Sequence, residues 1–225
     1  MFAKEGARVV VADIVDVNGE ETVANIKTSG GDAIFAHTDV SLAAEVENLI
    51  KVTINTFGKI DILFNNAGID HKLTRIEDID ESLWDRIYAV NVRGIFLAVK
   101  YAVPHMKKAG GGVIINTASM SGIRPRTNMS AYTSSKGAVI TLTKSLAIEL
   151  APSNIRVNCI NPVGTDTPLL RRSLDEEGLK AMISTIPLGR LAKPEDIAYA
   201  ALYLACDESS MLSGTCINVD GGRGI

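Results

Sequence analysis

Cysteine is scarce in this chain, and the three that occur are scattered. Cys159, Cys206 and Cys216 form no CxxC pair. An odd, dispersed set excludes a disulfide framework and a structural zinc site, and reads as buried small apolar side chains in a reducing compartment. Excess positive charge is missing as well: 23 Lys and Arg stand against 26 Asp and Glu, for a net charge of -3. With a pI near 5.7, the chain is not expected to take a nucleic acid or an anionic membrane as its main partner. No apolar run is long enough to span a bilayer. The start, MFAKEGARVV, has neither the apolar stretch nor the cleavage site of a signal peptide. The cytoplasm is therefore the expected location. Repeats, low-complexity tracts and linker-like shifts in composition are absent, so one domain over residues 1–225 is expected.

What is present is an ordinary globular balance, 46% hydrophobic and 22% charged, in a pattern that alternates strand with helix. Short β-branched runs at Arg8–Asp13, Ala33–Thr38, Ile60–Asn65, Gly112–Thr117, Arg156–Asn161 and Thr215–Val219 predict buried strands. Helical periodicity predicts helices at Val17–Ser29, Leu42–Phe57, Glu81–Lys108, Ala131–Ala151 and Pro194–Cys206, punctuated by Gly30, Gly31, Gly58, Gly110 and Pro194. Strict alternation means βαβ units, hence an α/β, Rossmann-like, doubly wound parallel sheet in three layers. Ligands of such sheets sit beyond the carboxyl ends of the strands, where the strand order reverses.

Reading those strand ends in order gives the candidate site. Asp13 follows the first strand, where a carboxylate accepts both ribose hydroxyls of an adenosine and repels a 2′-phosphate; the competing reading is a turn or helix-capping aspartate. Asp39 and Val40 follow the second, with Asp39 suited to the adenine amino group or, equally, to capping the next helix. The third strand ends in Asn65-Asn66-Ala67-Gly68, where small residues let backbone approach a ligand closely. Ser119 follows the strand GVIINT, and Tyr132 lies 132 − 119 = 13 residues further on. Tyr132 and Lys136 are four apart, on one face of a helix. A tyrosine is a poor base at neutral pH unless a nearby ammonium favours its phenolate. With that help Tyr132 takes a hydroxyl proton or returns it, and Ser119 holds the substrate oxygen. Ser121 is the alternative serine. A serine hydrolase is disfavoured, since Ala118-Ser119-Met120-Ser121-Gly122 is not G-x-S-x-G and none of His37, His71 and His105 is an evident base. His71 alone lies near a strand-end loop.

The ordered set Asn-Asn-Ala-Gly, Ser119, Tyr132 and Lys136 resembles the short-chain dehydrogenase/reductase family, and the resemblance runs over essentially the whole chain. It implies an oxidoreductase that moves a hydride between a nicotinamide cofactor and a secondary alcohol or ketone, with NAD preferred because of Asp13. It assigns Tyr132 as general acid/base, Ser119 to the substrate oxygen, and Lys136 to the ribose hydroxyls as well. Asn91, in Val90-Asn91-Val92-Arg93-Gly94, matches the family's fourth catalytic position in a proton relay. The cofactor-facing set is Asp13, Asp39, Val40, Asn66, Ala67, Gly68, Tyr132, Lys136, Pro162, Thr165 and Thr167. At Pro162-Val163-Gly164-Thr165-Asp166-Thr167-Pro168, Val163 stands where the family usually has glycine. No metal is implied. Residues 165–190, with Leu169, Leu170 and Met182, correspond to the family's substrate lid, and Val219-Asp220-Gly221-Gly222 to its last strand and turn.

The family's opening strand and its T-G-x-x-x-G-x-G turn have no counterpart in the sequence, and Met1–Ala7 reads like the tail of the first helix. Met1 is therefore expected to be an internal methionine of a longer protein, with two sheet strands left with open edges. The competing readings are a redox-inactive short form that acts as a binding or subunit-like protein, and an enzyme whose missing strand comes from elsewhere. A homotetramer or dimer, formed through the long helices and the last strand, is also implied. The substrate is a small alcohol or ketone; a 3-oxoacyl thioester, a sugar, a cyclic diol and a steroid-like alcohol all remain open.

Overall fold

A computed structural model describes all residues, 1–225. Six parallel strands alternate with helices. They are β1 (Arg8–Asp13), β2 (Asp32–His37), β3 (Ile62–Asn65), β4 (Gly112–Thr117), β5 (Ile155–Pro162) and β6 (Cys216–Val219). The helices are α1 (Asp16–Thr28), α2 (Ala43–Phe57), α3 (Glu81–Tyr88), α4 (Gly94–Ala109), α5 (Ser130–Leu150), α6 (Pro168–Ser173), α7 (Glu176–Ser184) and α8 (Pro194–Ala205). Each strand expected from the β-branched runs is present, with ends displaced by no more than two residues.

The strands belong to two sheets. β1 pairs with β2, from Arg8 opposite Asp32 to Asp13 opposite His37. The other sheet runs β3-β4-β5-β6. No ladder joins β1 to β3, so each keeps an open edge. The N-terminal turn reaches across on one side, where Phe2 packs against Phe64 of β3 at 6.4 Å between ring centroids.

The layering follows from side-chain alternation. In β4, Ile114 faces a core built with Ile95, Val99, Ala102 and Met106 of α4 and Val139, Ala147 and Leu150 of α5. Its neighbours Val113 and Ile115 face the opposite core, with Ile197, Ala201 and Leu204 of α8. Both faces of the sheet are thus covered, and β4 reads as a nearly continuous apolar run, as buried parallel strands do.

Two elements depart from expectation. The helix expected over Glu81–Lys108 is divided by a π-helical turn at Ala89–Arg93. One inserted residue there rotates Asn91 inward, to complete burial; such turns are frequent at functional sites. Residues 165–190, compared with the family's lid, contain two short helices. Each has a side-chain cap: Thr167 accepts from Leu170 N, and Asp175 from Gly178 N.

Candidate active site

The carboxyl ends of the strands form a crevice, and polar side chains tie its rim together. Asn65 Nδ2 donates to Asn116 Oδ1 of the adjacent strand at 2.9 Å, and Asn116 Nδ2 donates to Thr143 Oγ1 of α5 at 3.0 Å. Asn66 Oδ1 accepts from Thr117 Oγ1 at 3.0 Å. Asn161 Nδ2 donates to Asn218 Oδ1 across β5 and β6 at 2.9 Å. These amides satisfy one another where the ladders end, as buried polar groups must.

Asn91 holds the loop after β3. Its Oδ1 accepts from Ile69 N at 2.8 Å, and its Nδ2 donates to Ile69 O at 2.9 Å and to Ser135 Oγ at 3.0 Å. The carboxamide therefore reads the Ile69 backbone from both sides, as a neighbouring strand would. Gly68 is squeezed between two site residues: a Cβ there would stand 3.3 Å from both Asn91 Oδ1 and Lys136 Nζ.

Lys136 is 4% exposed and rises from the first turns of α5. Its Nζ donates to Thr117 O at 2.8 Å and lies 5.8 Å from the Tyr132 ring centroid. Of its three N–H groups one has an acceptor, which leaves two without a protein partner. Burial pushes the ammonium down to about 8. Ser119 is buried and caps the turn Met120–Gly122, its Oγ accepting from Ser121 N at 3.1 Å. Ser119, not Ser121, is the hydroxyl beside Tyr132.

The titration of Tyr132 corrects one expectation. An ammonium at i+4 was expected to favour the phenolate; instead burial pushes the phenol up. The Ser119 hydroxyl pulls the other way, Asp70 adds to the rise, and Arg126 opposes it. The physical reason is that burial outweighs the charge, and Lys136, itself held at about 8 by burial, has lost its proton before a raised phenol titrates. Tyr132 accordingly keeps its phenolic proton at neutral pH.

Asp70 and Arg126 were not singled out in the sequence, since nothing in their spacing sets them apart from other loop charges. Asp70 also accepts from Ser173 Oγ at 2.8 Å, which ties α6 to the loop after β3. His71 is buried next to it. Its Nδ1 contacts Lys72 O at 2.7 Å, and its Nε2 has no partner.

The cofactor-facing candidates fare unequally. Asp13 Oδ1 accepts from Val15 N at 2.8 Å and its other oxygen is unengaged. Asp39 is more fully committed: Oδ1 accepts from Ser41 N and Ser41 Oγ, and Oδ2 from Arg86 Nη2 at 3.1 Å. Partial burial raises its carboxyl, yet the Ser41 and Arg86 bonds together hold it below the usual range. Val40 packs against Gly94 at the start of α4. Pro162 closes β5, Thr165 donates to Val163 O at 3.0 Å, and Thr167 donates to Thr165 O at 3.3 Å while capping α6. Asn66, Ala67 and Gly68 line the end of β3, next to Thr117.

A nicotinamide cofactor fits these donors on two counts. The underfilled Lys136 ammonium would offer ribose hydroxyls a donor, and the free Asp13 oxygen would offer the adenosine ribose an acceptor. No group of three or more metal-ligating side chains exists in the chain.

A doubly wound parallel sheet with a Ser-Tyr-Lys set at its strand ends defines an oxidoreductase scaffold. The comparisons narrow the class. The family model described as Enoyl-(Acyl carrier protein) reductase matches residues 1–223. The chain is 45% identical over 227 residues to an uncharacterized oxidoreductase of Thermotoga maritima, spanning 99% of this chain and 89% of that protein. Among solved structures it is similar to 3-ketoacyl-(acyl-carrier-protein) reductase from Brucella melitensis complexed with NADH. That match has 43% identity and a TM-score of 0.94, over 100% of this chain and 91% of the other. A gluconate 5-dehydrogenase from Burkholderia cenocepacia, in complex with NADP and tartrate, aligns at 30% identity and a TM-score of 0.92 over 98% and 87%. The chain belongs to the short-chain dehydrogenase/reductase family. No helix is long and apolar enough to cross a membrane.

Proposed function

We propose that this oxidoreductase moves a hydride between NAD(H) and a secondary alcohol or ketone, with Tyr132 as the general acid/base. The observation that carries the reading is the buried Lys136 ammonium, held by one acceptor and set against the Tyr132 ring and Gly68. A buried cation costs stability unless it is fully paired, so its retention here has a use in binding. When bound, the nicotinamide supplies the hydride chemistry. The chain supplies the rest. Ser119 orients the substrate oxygen, and Tyr132 gives its phenolic proton to a carbonyl or takes one from an alcohol. Lys136 holds ribose hydroxyls with its two free N–H groups. Asn91 fixes the loop after β3 against α5.

Asp13 supports the preference for NAD, since a second negative charge beside its free oxygen is repelled. Asp13→Ala is expected to weaken NADH binding by about tenfold, the cost of roughly one charge-assisted hydrogen bond, with little change for NADPH. Fluorescence titration of both cofactors checks this. A parallel loss for the two would remove Asp13 as the selector.

A raised phenol also fixes a pH trend. Ketone reduction uses the protonated form, present from neutral pH upward until the raised value is reached, and declines above it. Alcohol oxidation uses the deprotonated form and climbs over the same range. Initial rates measured in both directions across that range test the assignment, and profiles that move together would contradict it.

The direct test of the whole reading is NADH titration followed by a screen of secondary alcohols. A second reading rests on the open edges of β1 and β3: a binding protein without redox turnover. Folded chain that holds neither NADH nor NADPH would favour it. Self-association is supported by the exposed apolar side chains Phe96 on α4, Ile148 on α5 and Tyr199 on α8.

A further inference from the structure

Away from the crevice, two of the three cysteines meet. Cys159 of β5 and Cys216 of β6 are in-register partners of a parallel pair. Such partners project from the same face of a sheet, with strands about 4.8 Å apart. That spacing lies within the roughly 4.4–6.8 Å that a disulfide spans between Cα atoms. The shared face is covered by α5: Cys159 is completely buried with Val139, Ala147 and Val157, and half-buried Cys216 packs against the same cluster.

The two thiols are inequivalent. The neighbouring Cys159 thiol pulls Cys216 down, burial opposes this, and the Lys144 ammonium of α5 assists it; the balance holds Cys216 at about 7. The neighbouring Cys216 and burial push Cys159 up. Thr143 and the Asn161 amide oxygen, at 3.8 Å, are the other polar groups beside Cys159. One thiol is thus more acidic and accessible, and the other is buried within reach of it. Thiolate character and access are what select a cysteine for oxidation.

We propose that Cys159 and Cys216 form an oxidation site, a thiol pair that a hydroperoxide closes into a disulfide across β5 and β6. The Cys216 thiolate attacks the O–O bond; an S–O bond forms, the O–O bond breaks, and the leaving alkoxide or hydroxide takes up a proton. The Cys159 sulfur then attacks the sulfenic acid at Cys216. An S–S bond forms, the S–O bond breaks, and hydroxide leaves as water with the Cys159 proton. In sum, two thiols and one hydroperoxide give one disulfide, one alcohol or water, and one further water. The in-register spacing lies within disulfide reach, and a dithiol reductant reverses the product.

Cys206 caps the end of α8 and donates to Tyr203 O at 3.0 Å. It shares a tryptic peptide with Cys216, so the test uses Cys206→Ser. This chain is treated with a small excess of hydrogen peroxide and digested without reductant. The expected product is the Cys159 peptide joined to the Cys216 peptide, in a monomer lighter by two hydrogens and released by dithiothreitol. With Cys159→Ala added, Cys216 is expected to stop at a sulfenic acid that dimedone traps. With Cys216→Ala added instead, Cys159 is expected to stay reduced. Two free thiols after treatment, a dimer linked through Cys216, or a Cys216 sulfinic acid in place of the cross-link would overturn the proposal.

Discussion

Replacing Tyr132 with Phe is expected to slow turnover of a secondary alcohol by about 10²- to 10⁴-fold, the usual contribution of a positioned acid or base. NADH binding is expected to stay largely intact. The two readouts separate because the substitution removes one oxygen and nothing else. The ring stays against Lys136, whose Nζ lies 5.8 Å from the centroid and is anchored on Thr117 O. The backbone frame is held elsewhere, by Asn91 on Ile69 and by Asn116 on Thr143. The phenol is raised by its own burial, so its proton is available at neutral pH for a developing alkoxide. Steady-state kinetics with a titration of NADH measures both quantities. Retained turnover would sink the proton-transfer role, whereas joint loss of turnover and of NADH affinity would recast Tyr132 as a binding residue.

Most of this fold was legible because its signals are local. β4 is a nearly apolar run of strand length, β5 a mostly buried one, and α5 begins and ends within a residue of the span that periodicity gives. The candidate site was legible for a related reason: strand ends mark the crevice, and Tyr132 and Lys136 are one helical turn apart. What escaped is what depends on a tertiary neighbour. The π-turn around Asn91 adds one residue to a helix and leaves the hydrophobic pattern unbroken. Asp70 and Arg126 look like any loop charges until the fold sets them beside Tyr132. The direction of the Tyr132 shift escapes as well, since spacing shows that an ammonium is near but not how deeply the fold buries both groups. The thiol pair was invisible too, because Cys159 and Cys216 are far apart in sequence and meet only through strand register.

Lys136→Met is expected to stabilise the chain while removing its function. The unfolded ammonium titrates near its model value of 10.5 and the folded one at about 8. The difference, 10.5 − 8 = 2.5 units, corresponds to about 3 kcal/mol as an upper bound, at 1.36 kcal/mol per unit. The sign follows from burial: the folded state disfavours the proton that the unfolded state keeps. Stability therefore rises with pH between about 8 and 10.5, and below that window the full cost of the buried charge stands. Methionine fills a similar volume without charge, at the expense of one hydrogen bond to Thr117 O, worth about 1 kcal/mol. A net gain of up to about 2 kcal/mol is expected at pH 7, fading as the pH approaches 10.5. Urea denaturation at a series of pH values measures it. In the same variant NADH affinity and turnover are expected to fall together, since the two free N–H groups are the ones assigned to the ribose. A destabilised Lys136→Met chain would mean that the ammonium is a structural tie between α5 and β4, and that its two unfilled donors carry no binding role.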